Sequence, residues 1–267
     1  TRKVKRKVNG VEVEVEERYH RIVSAQWVGS HPAMILDFEP VLPKEGEQQA
    51  AYRLVERLAK EYGQAIGTLI GDALYDSEPF RRVAGKAGYW IVVRQKNKRI
   101  APGRVLRARL NLRDPERLQP DGRYVEKHGA GSRSYRCWEE PDPILGDLRF
   151  VEVERVTTTK GGKREVHTGA CLTTIPAKMA PPVAVAMLMQ KRWFIESGFH
   201  ELAGELDLDR AYVHAGRPNA TVAIVGLAFM AYNALQAFLY RALGLTPGRP
   251  GRTLGDVCND FWESLGA

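Results

Sequence analysis

Two acidic residues of this 267-residue chain stand where a carboxylate can do chemistry. The first, Asp72, follows a short apolar run at residues 65–70 after a single glycine, Gly71, and opens the sequence Asp-Ala-Leu-Tyr. Open α/β sheets bind ligands at the carboxyl ends of their strands, so a carboxylate at this position suits a binding or catalytic site. The other interpretation is an Asp that closes a turn or caps a helix, which is commoner for an isolated Asp.

The second acidic residue, Glu196, lies in a predicted helix over residues 183–206. Its neighbour Ile195 falls on the apolar stripe of that helix, which places Glu196 at the edge of the core. Arg192 stands one turn earlier on the same predicted face. A solvated Arg–Glu pair is the ordinary interpretation of this spacing. An acid beside an Arg at the margin of an α/β core equally suits a metal site that contacts a phosphate.

Other catalytic patterns are missing from the sequence. The six histidines show neither HxxxH nor HExxH spacing, which disfavours a zinc enzyme. No serine has a nucleophile-elbow context, and the glycine-rich motifs of dinucleotide and nucleoside triphosphate sites do not occur. Three cysteines without a CxxC pair support neither a disulfide scaffold nor a cysteine zinc site, and they fit a reducing cytosolic compartment.

Strands and helices alternate around the two acids. The sequence predicts strands at 21–29, 33–38, 65–70 and 89–93, and helices at 47–62, from Ser77 to Gly85, at 183–206 and at 220–243. This order is typical of an α/β core with a partly parallel sheet. The last helix is uncharged as far as Tyr240 and long enough to raise the question of a membrane span. Polar residues interrupt it, and we expect a buried core helix.

The net charge of +8, from 40 Lys+Arg against 32 Asp+Glu, is compatible with a nucleic-acid-binding protein. At the N-terminus, Asn9-Gly10 predicts a hairpin in which lysines face glutamates, so that its charge is largely compensated. The uncompensated excess begins at residue 94 and is the predicted contact with the DNA backbone; the alternative is a solvated surface. The predicted contacts are Arg94, Lys96, Lys98, Arg99, Arg104, Arg107 and Arg109.

A change in composition divides the chain into three predicted parts. Residues 1–94 form the N-terminal hairpin and the first part of the core. Residues 95–178 form a β-rich insertion, whose best hairpin turns about Gly161-Gly162. Residues 179–267 supply the C-terminal helices that complete the core.

In these contexts the chain resembles the DDE transposases of bacterial insertion sequences, within the ribonuclease H-like superfamily. That family has D-A-L-Y after an apolar strand, as at Asp72, with an apolar residue such as Phe80 in the next helix. It also has R-W-x-I-E-x-x-F, as at Arg192 to Phe199, and a closing helix with an Asn-Ala pair, as at Asn233. The similarity covers about residues 19–243. It implies an α/β fold, namely a ribonuclease H-like mixed sheet flanked by helices, with a β-rich insertion.

The resemblance implies metal-dependent phosphoryl transfer at DNA ends, in which an acidic triad holds two Mg²⁺ or Mn²⁺ ions. By matched position, Asp72 and Glu196 would be catalytic metal ligands, and Arg192 would be a catalytic residue that contacts a DNA phosphate. The implied partners are the terminal inverted repeats of the transposon, target DNA and a second copy of the chain, with no membrane. The implied location is the bacterial cytoplasm, at the nucleoid.

The sequence departs from the family in two respects. Met189 and Ala203 stand where the family has a Tyr and a Lys that help to grip DNA. No Asp precedes Asp37, which lies on the strand after the one that should carry the first acid. We therefore expect that acid upstream of Thr1, and a truncated chain that is inactive alone. Two alternatives stay open: a ribonuclease H-like nuclease that is not a transposase, and a non-catalytic basic DNA-binding domain.

Overall fold

The computed structural model describes residues 2–8, 11–17, 20–28, 34–95, 119–128, 131–141, 148–204 and 218–242, and within them ten strands and five α-helices. The strands are β1 (Arg2–Val8), β2 (Val11–Glu17), β3 (Ile22–Trp27), β4 (Met34–Pro40), β5 (Thr68–Gly71), β6 (Trp90–Arg94), β7 (Gly122–His128), β8 (Gly131–Pro141), β9 (Arg149–Thr158) and β10 (Arg164–Thr173). The helices are α1 (Glu47–Tyr62), α2 (Glu78–Lys86), α3 (Pro182–Gln190), α4 (Trp193–Gly204) and α5 (Pro218–Ala242).

These elements fall into two compact units. One comprises Thr1–Leu54 with Phe194–Ala267, and the other comprises Val55–Trp193. The three-part division expected from composition stays a prediction.

The N-terminal hairpin of the first unit has the predicted register. In β1 and β2, Lys7 faces Glu12, Lys5 faces Glu14 and Lys3 faces Glu16 across the ladder. Lys5 Nζ also lies 3.9 Å from Glu12 Oε2, with both side chains largely exposed. Exposed pairs of this kind contribute little to stability, so their effect is to cancel charge. The positive excess of the chain therefore lies elsewhere.

Strands β3 and β4 of the first unit pair antiparallel, with a register shift between Ala25 and Gln26. Helix α5 packs on β4 through Phe229, whose ring meets that of Phe38 edge to face at 5.1 Å between centroids. The amide of Asn233, one turn further along α5, exchanges two hydrogen bonds with the backbone of Ile35. The core of this unit consists of Ile35, Leu202, Val225, Phe229 and Tyr232.

Helix α5 is buried on one face only. Val225, Phe229, Tyr232 and Gln236 recur at helical spacing and are nearly inaccessible, whereas Leu227 and Met230 are 64% and 69% exposed. Its segment Asn219–Phe238 is long and apolar enough to cross a membrane, with a mean hydropathy of 1.5 and 22% of it buried. A single such helix is weak evidence for a span. The expectation of a core helix thus holds for one face, and the other face exposes apolar side chains.

The second unit is built on a six-stranded mixed sheet with the order β5-β6-β10-β9-β8-β7. Strands β5 and β6 are parallel and are connected through α2, and the other pairs are antiparallel. Ser77 caps α2 as predicted, since its Oγ accepts from the Phe80 N–H at 3.4 Å. A mixed sheet flanked by helices confirms the expected α/β fold class and is consistent with a ribonuclease H-like fold.

Helix α3 covers one face of this sheet. Val185 and Ala186 of α3 pack on Val92, Val151 and other buried side chains of β6, β8, β9 and β10. Two free cysteines, Cys137 and Cys171, lie in the same core, where burial raises the pKa of both thiols to about 12. They are unreactive packing residues, in agreement with the absence of a disulfide pattern; Cys258 lies outside the described residues.

A buried arginine closes the end of this core. Arg149 donates to both carboxylate oxygens of Glu139, at 2.6 and 2.7 Å, and to the carbonyls of Ile175 and Ala180. Its guanidinium thereby satisfies the carbonyls of the segment that leads into α3. Because α3 defines one wall of the cleft described below, this clamp contributes to the geometry of that cleft.

Candidate active site and nucleic-acid interface

Asp72 directly follows β5 and is exposed. Its Oδ1 accepts from the Leu74 N–H at 2.8 Å and caps a short 3₁₀ turn, Ala73–Tyr75. Among the residues that the structure describes, none donates to Oδ2. The capping interpretation of this Asp is therefore correct as a local description. The second oxygen leaves it able to bind a cation as well.

Side-chain packing explains why a tyrosine ends the Asp-Ala-Leu-Tyr sequence. A Cβ at Gly71 would lie 2.9 Å from Tyr75 Cδ2, so the absence of a side chain at Gly71 lets the Tyr75 ring fold back over the end of β5. That ring contacts Phe80 at 5.0 Å between centroids. The tyrosine and the apolar residue of α2 hold the turn that presents Asp72.

Asp72 and Arg94 lie at the same edge of the sheet. Strands β5 and β6 run parallel, and Gly71, the last residue of β5, is paired with Val93. The next residue on each strand is Asp72 and Arg94, respectively. Because the carboxyl ends of parallel strands meet at one edge, this register places an acid beside a base where α/β sheets bind ligands.

Glu196 lies in the first turn of α4 and is exposed. A negative charge in the first turn is favourable, because the unpaired backbone N–H groups and the helix dipole create positive potential there. Glu196 belongs to the first compact unit and Asp72 to the second. Within the described residues no three His, Cys, Asp or Glu side chains are grouped closely enough to hold a metal ion.

The predicted single helix over 183–206 is wrong. It is divided into α3 and α4 by a turn at Lys191 and Arg192, whose N–H groups donate to the carbonyls of Leu188 and Met189. These short-range bonds tighten the end of α3 and interrupt the helix there. Arg192 is therefore not one turn before Glu196 on a continuous helix face. Its guanidinium instead lies 5.3 Å from the centre of the Trp193 ring, at cation–π distance.

The expected core stripe of this helix is confirmed only in part. Leu202 is 1% exposed, but Phe199 is 38% exposed. Leu206 lies outside the described residues.

A basic cleft of about 240 Å³ lies in the second unit, where the C-terminus of α3 meets the sheet. It brings together Arg94 and Arg192, both predicted as DNA contacts, although 98 residues separate them in sequence. Arg155 and His167 also line it, and neither was predicted from the sequence as a site residue. Of the described residues that line this cleft, none is acidic. The cleft is thus a region of positive electrostatic potential next to the edge of the sheet that carries Asp72.

The alternation along β9 could have identified Arg155. Val151, Val153 and Arg155 occupy alternate positions and so lie on one face, and the two valines belong to the core under α3. An arginine at the next inward position breaks the apolar pattern. Such a break is a usable signal, but only once the register and the covering helix are known.

Several other positions were predicted as DNA contacts or as the first acid. The remaining residues of the basic cluster lie outside the described residues; they are Lys96, Lys98, Arg99, Arg104, Arg107 and Arg109. Asp37, considered for the first acid, lies on β4, and its Oδ1 accepts from the Phe38 N–H at 2.7 Å.

Oxygen donors such as Asp72 and Glu196 are suitable ligands for Mg²⁺ or Mn²⁺.

A comparison with protein families gives a match over most of the chain. A family model described as "Transposase DDE domain" matches residues 28–234, a span that includes Asp72, Arg94, Arg192 and Glu196. No curated protein matches the chain.

Proposed function

The chain belongs to the transposase DDE domain family, whose members use divalent metals to transfer phosphoryl groups on DNA, and we propose that it cuts and joins DNA at transposon ends. The observation that best supports this proposal is the position of Asp72. It stands at the edge of the sheet beside Arg94, which shares a basic cleft with Arg192. A metal-binding carboxylate next to phosphate-binding arginines is the arrangement that phosphoryl transfer requires.

In this proposal Asp72 and Glu196 hold the metal. Asp72 keeps Oδ1 on the Leu74 N–H, which fixes the carboxylate, and offers Oδ2 to the cation. Glu196 offers its carboxylate from an exposed position on the first turn of α4. When bound, two Mg²⁺ or Mn²⁺ ions would activate a water or a DNA 3′-hydroxyl and stabilise the leaving oxygen.

The arginines hold the DNA. A guanidinium presents a planar fork of N–H donors to phosphate oxygens and remains charged at any physiological pH. The Trp193 ring beneath Arg192 restricts the orientation of that guanidinium. Arg94 and Arg192 thus bind phosphates of the strand whose reacting bond lies near Asp72.

The finer parts of the proposal concern partners and activity. The DNA partners are the terminal inverted repeats and the target DNA, and two copies of the chain act together in the cytoplasm at the nucleoid. Only two of the three acids that such a site requires match residues of this chain. With one carboxylate fewer, the site holds less negative charge for two divalent cations, so the chain alone cleaves weakly or not at all.

The test uses this chain and the product of its complete reading frame, whatever the length of that product, with duplex DNA that carries the inverted repeats and Mg²⁺. The complete product should nick and transfer strands, and Asp72→Asn or Glu196→Gln should abolish both reactions. Glu78→Gln is the matched control, because it removes an exposed carboxylate six residues from Asp72. Nicking by this chain alone would refute its inactivity.

Two other outcomes would replace the proposal. DNA binding by the complete product without any Mg²⁺-dependent cleavage would indicate a non-catalytic domain. Cleavage without strand transfer or preference for the repeats would indicate a nuclease.

A further inference from the structure

The basic cleft is a continuation of the protein core. On three adjacent strands, β6, β10 and β9, the face under α3 is apolar and then becomes polar, with an arginine on β6 and on β9. On β6 the buried Val92 is followed two residues later by Arg94, and on β9 Val153 is followed by Arg155. On β10 the equivalent position opposite Arg155 is occupied by His167. Arg94, His167 and Arg155 therefore line the floor of a groove that has α3 as its wall.

Arg155 is held in place without a counter-charge. Its Nη1 donates to Gln190 Oε1, on the last residue of α3, at 3.3 Å. Its Nε is inaccessible to solvent and has no hydrogen-bond partner. Among the residues that the structure describes, no carboxylate forms a salt bridge with it. Burying part of a guanidinium without a counter-charge is unfavourable unless an anion binds there.

The backbone positions of Arg94 and Arg155 are far apart. Arg94 is paired with Cys171 of β10, whereas Arg155 is paired with His167 of β10, four residues away and on the opposite side of that strand. With strands about 4.8 Å apart and about 3.3 Å per residue, the Cα atoms of the two arginines lie roughly 16 Å apart. Phosphates on one DNA strand recur about every 3.4 Å along the helix axis.

We propose that this cleft binds a continuous stretch of one DNA strand, and that Arg155 contacts a different phosphate from the one that Arg94 contacts. The inference extends the proposed function, since it assigns a track for the strand that leads away from Asp72. It adds Arg155 as a DNA-binding residue. The ligand is a run of phosphodiesters, as opposed to a free phosphate ion.

The experiment measures the affinity of this chain for oligothymidylates of two to eight nucleotides and for inorganic phosphate, in EDTA. Without metal the result does not depend on cleavage. Affinity should rise with length in the wild type. Arg94→Gln should weaken binding at every length, whereas Arg155→Gln should mainly remove the gain from the longer oligonucleotides, by about tenfold for the octanucleotide.

Arg164→Gln is the matched control, because it removes the same charge from an exposed position at the start of β10, outside the cleft. It should preserve the wild-type length dependence. Arg155→Lys, with an unchanged midpoint of thermal unfolding, should lie between the wild type and Arg155→Gln. Equal effects of Arg155→Gln and Arg164→Gln would overturn the proposal, as would inorganic phosphate that binds as tightly as the octanucleotide. Either result would leave the test with Asp72→Asn and Mg²⁺ unaffected.

Discussion

The side chain of Asn233 completes the hydrogen bonding of Ile35, 198 residues earlier in the chain. Its Oδ1 accepts from the Ile35 N–H and its Nδ2 donates to the Ile35 carbonyl, both at 2.8 Å. The amide thus pairs with β4 much as a neighbouring strand would. Helix α5 is fixed to the small sheet of the first unit by this contact and by the apolar packing of Phe229.

Asn233→Ala should lower the free energy of unfolding by about 1–3 kcal/mol, because two partly buried backbone groups lose their partner. Urea denaturation would measure this change. Asn219→Ala, an exposed change on the same helix, should stay within about 0.5 kcal/mol of the wild type. Equal stability of the two variants would show that the Ile35 contact contributes nothing.

Two glycines in helices should respond oppositely to alanine. Gly85→Ala in α2 meets no atom within 4 Å and should raise stability by about 0.5–1 kcal/mol through helix propensity. Gly198→Ala in α4 would place a Cβ 3.1 Å from Tyr232 Oη and 3.2 Å from Gln26 Nε2. The propensity gain should therefore be lost there. Thermal unfolding of both variants checks this, and a similar gain at both sites would contradict it.

Removal of the Arg149 guanidinium should be severe. Arg149→Leu leaves Glu139 and two carbonyls without their donor in a buried site, at an expected cost of about 3–5 kcal/mol. Arg82→Leu breaks an exposed pair with Glu78 and should cost less than about 1 kcal/mol. Chemical denaturation of the two variants gives the comparison. A small effect of Arg149→Leu would mean that the clamp is replaceable by apolar packing.

The pH dependence of stability should include a contribution from Glu45. Two hydrogen bonds from Arg53 lower the pKa of this carboxyl from 4.5 to about 2 in the folded chain. A lowered folded-state pKa stabilises the fold above the unfolded value, and this stabilisation is lost as the pH falls from about 4.5 to about 2. Urea unfolding at several pH values should show it. Glu45→Gln should flatten this part of the curve, and in an Arg53→Met background its effect should be smaller, because only the Leu42 N–H and the charge of Arg21 then favour the Glu45 carboxylate.

Capping and metal binding by Asp72 can be separated. Asp72→Ser keeps an oxygen that can accept from the Leu74 N–H but removes the carboxylate, so stability should stay within about 0.5 kcal/mol. Asp72→Ala removes both and should cost about 1 kcal/mol. Both variants should lose Mg²⁺-dependent cleavage in the complete product. Cleavage by Asp72→Ser would show that this residue is a cap and no more.

Much of the fold was predictable because local patterns determine it. Helix α1 begins and ends where the apolar spacing and Gly63 predicted, and the N-terminal hairpin follows from Asn9-Gly10 and its alternating charges. The end of α3 was not predictable, since residues 183–206 are apolar enough to continue as one helix. The break there depends on backbone bonds at Lys191 and Arg192 that leave no signature in composition.

The residues of the candidate site were likewise predictable only in part. Asp72 and Glu196 were recognisable from the residues around them, and Arg94 from the density of charge. Arg155 was not, because an arginine on a hairpin strand looks solvated until the strand is known to continue a buried face. Asp72 and Arg94 are neighbours because β5 pairs in parallel with β6. The sequence indicated buried strands there but did not indicate this pairing.

The strand order also has a kinetic consequence. Strands β7 to β10 are joined in sequence as neighbouring antiparallel partners, so they close short loops and can assemble early. Strand β6 must instead find β10 across the whole intervening chain, from Arg94 to Cys171. Closing such a long loop costs more entropy before any contact repays it. We expect the edge with Asp72 and Arg94 to be the last part of the second unit to form, so a partly folded chain would contain the meander before it contains a site.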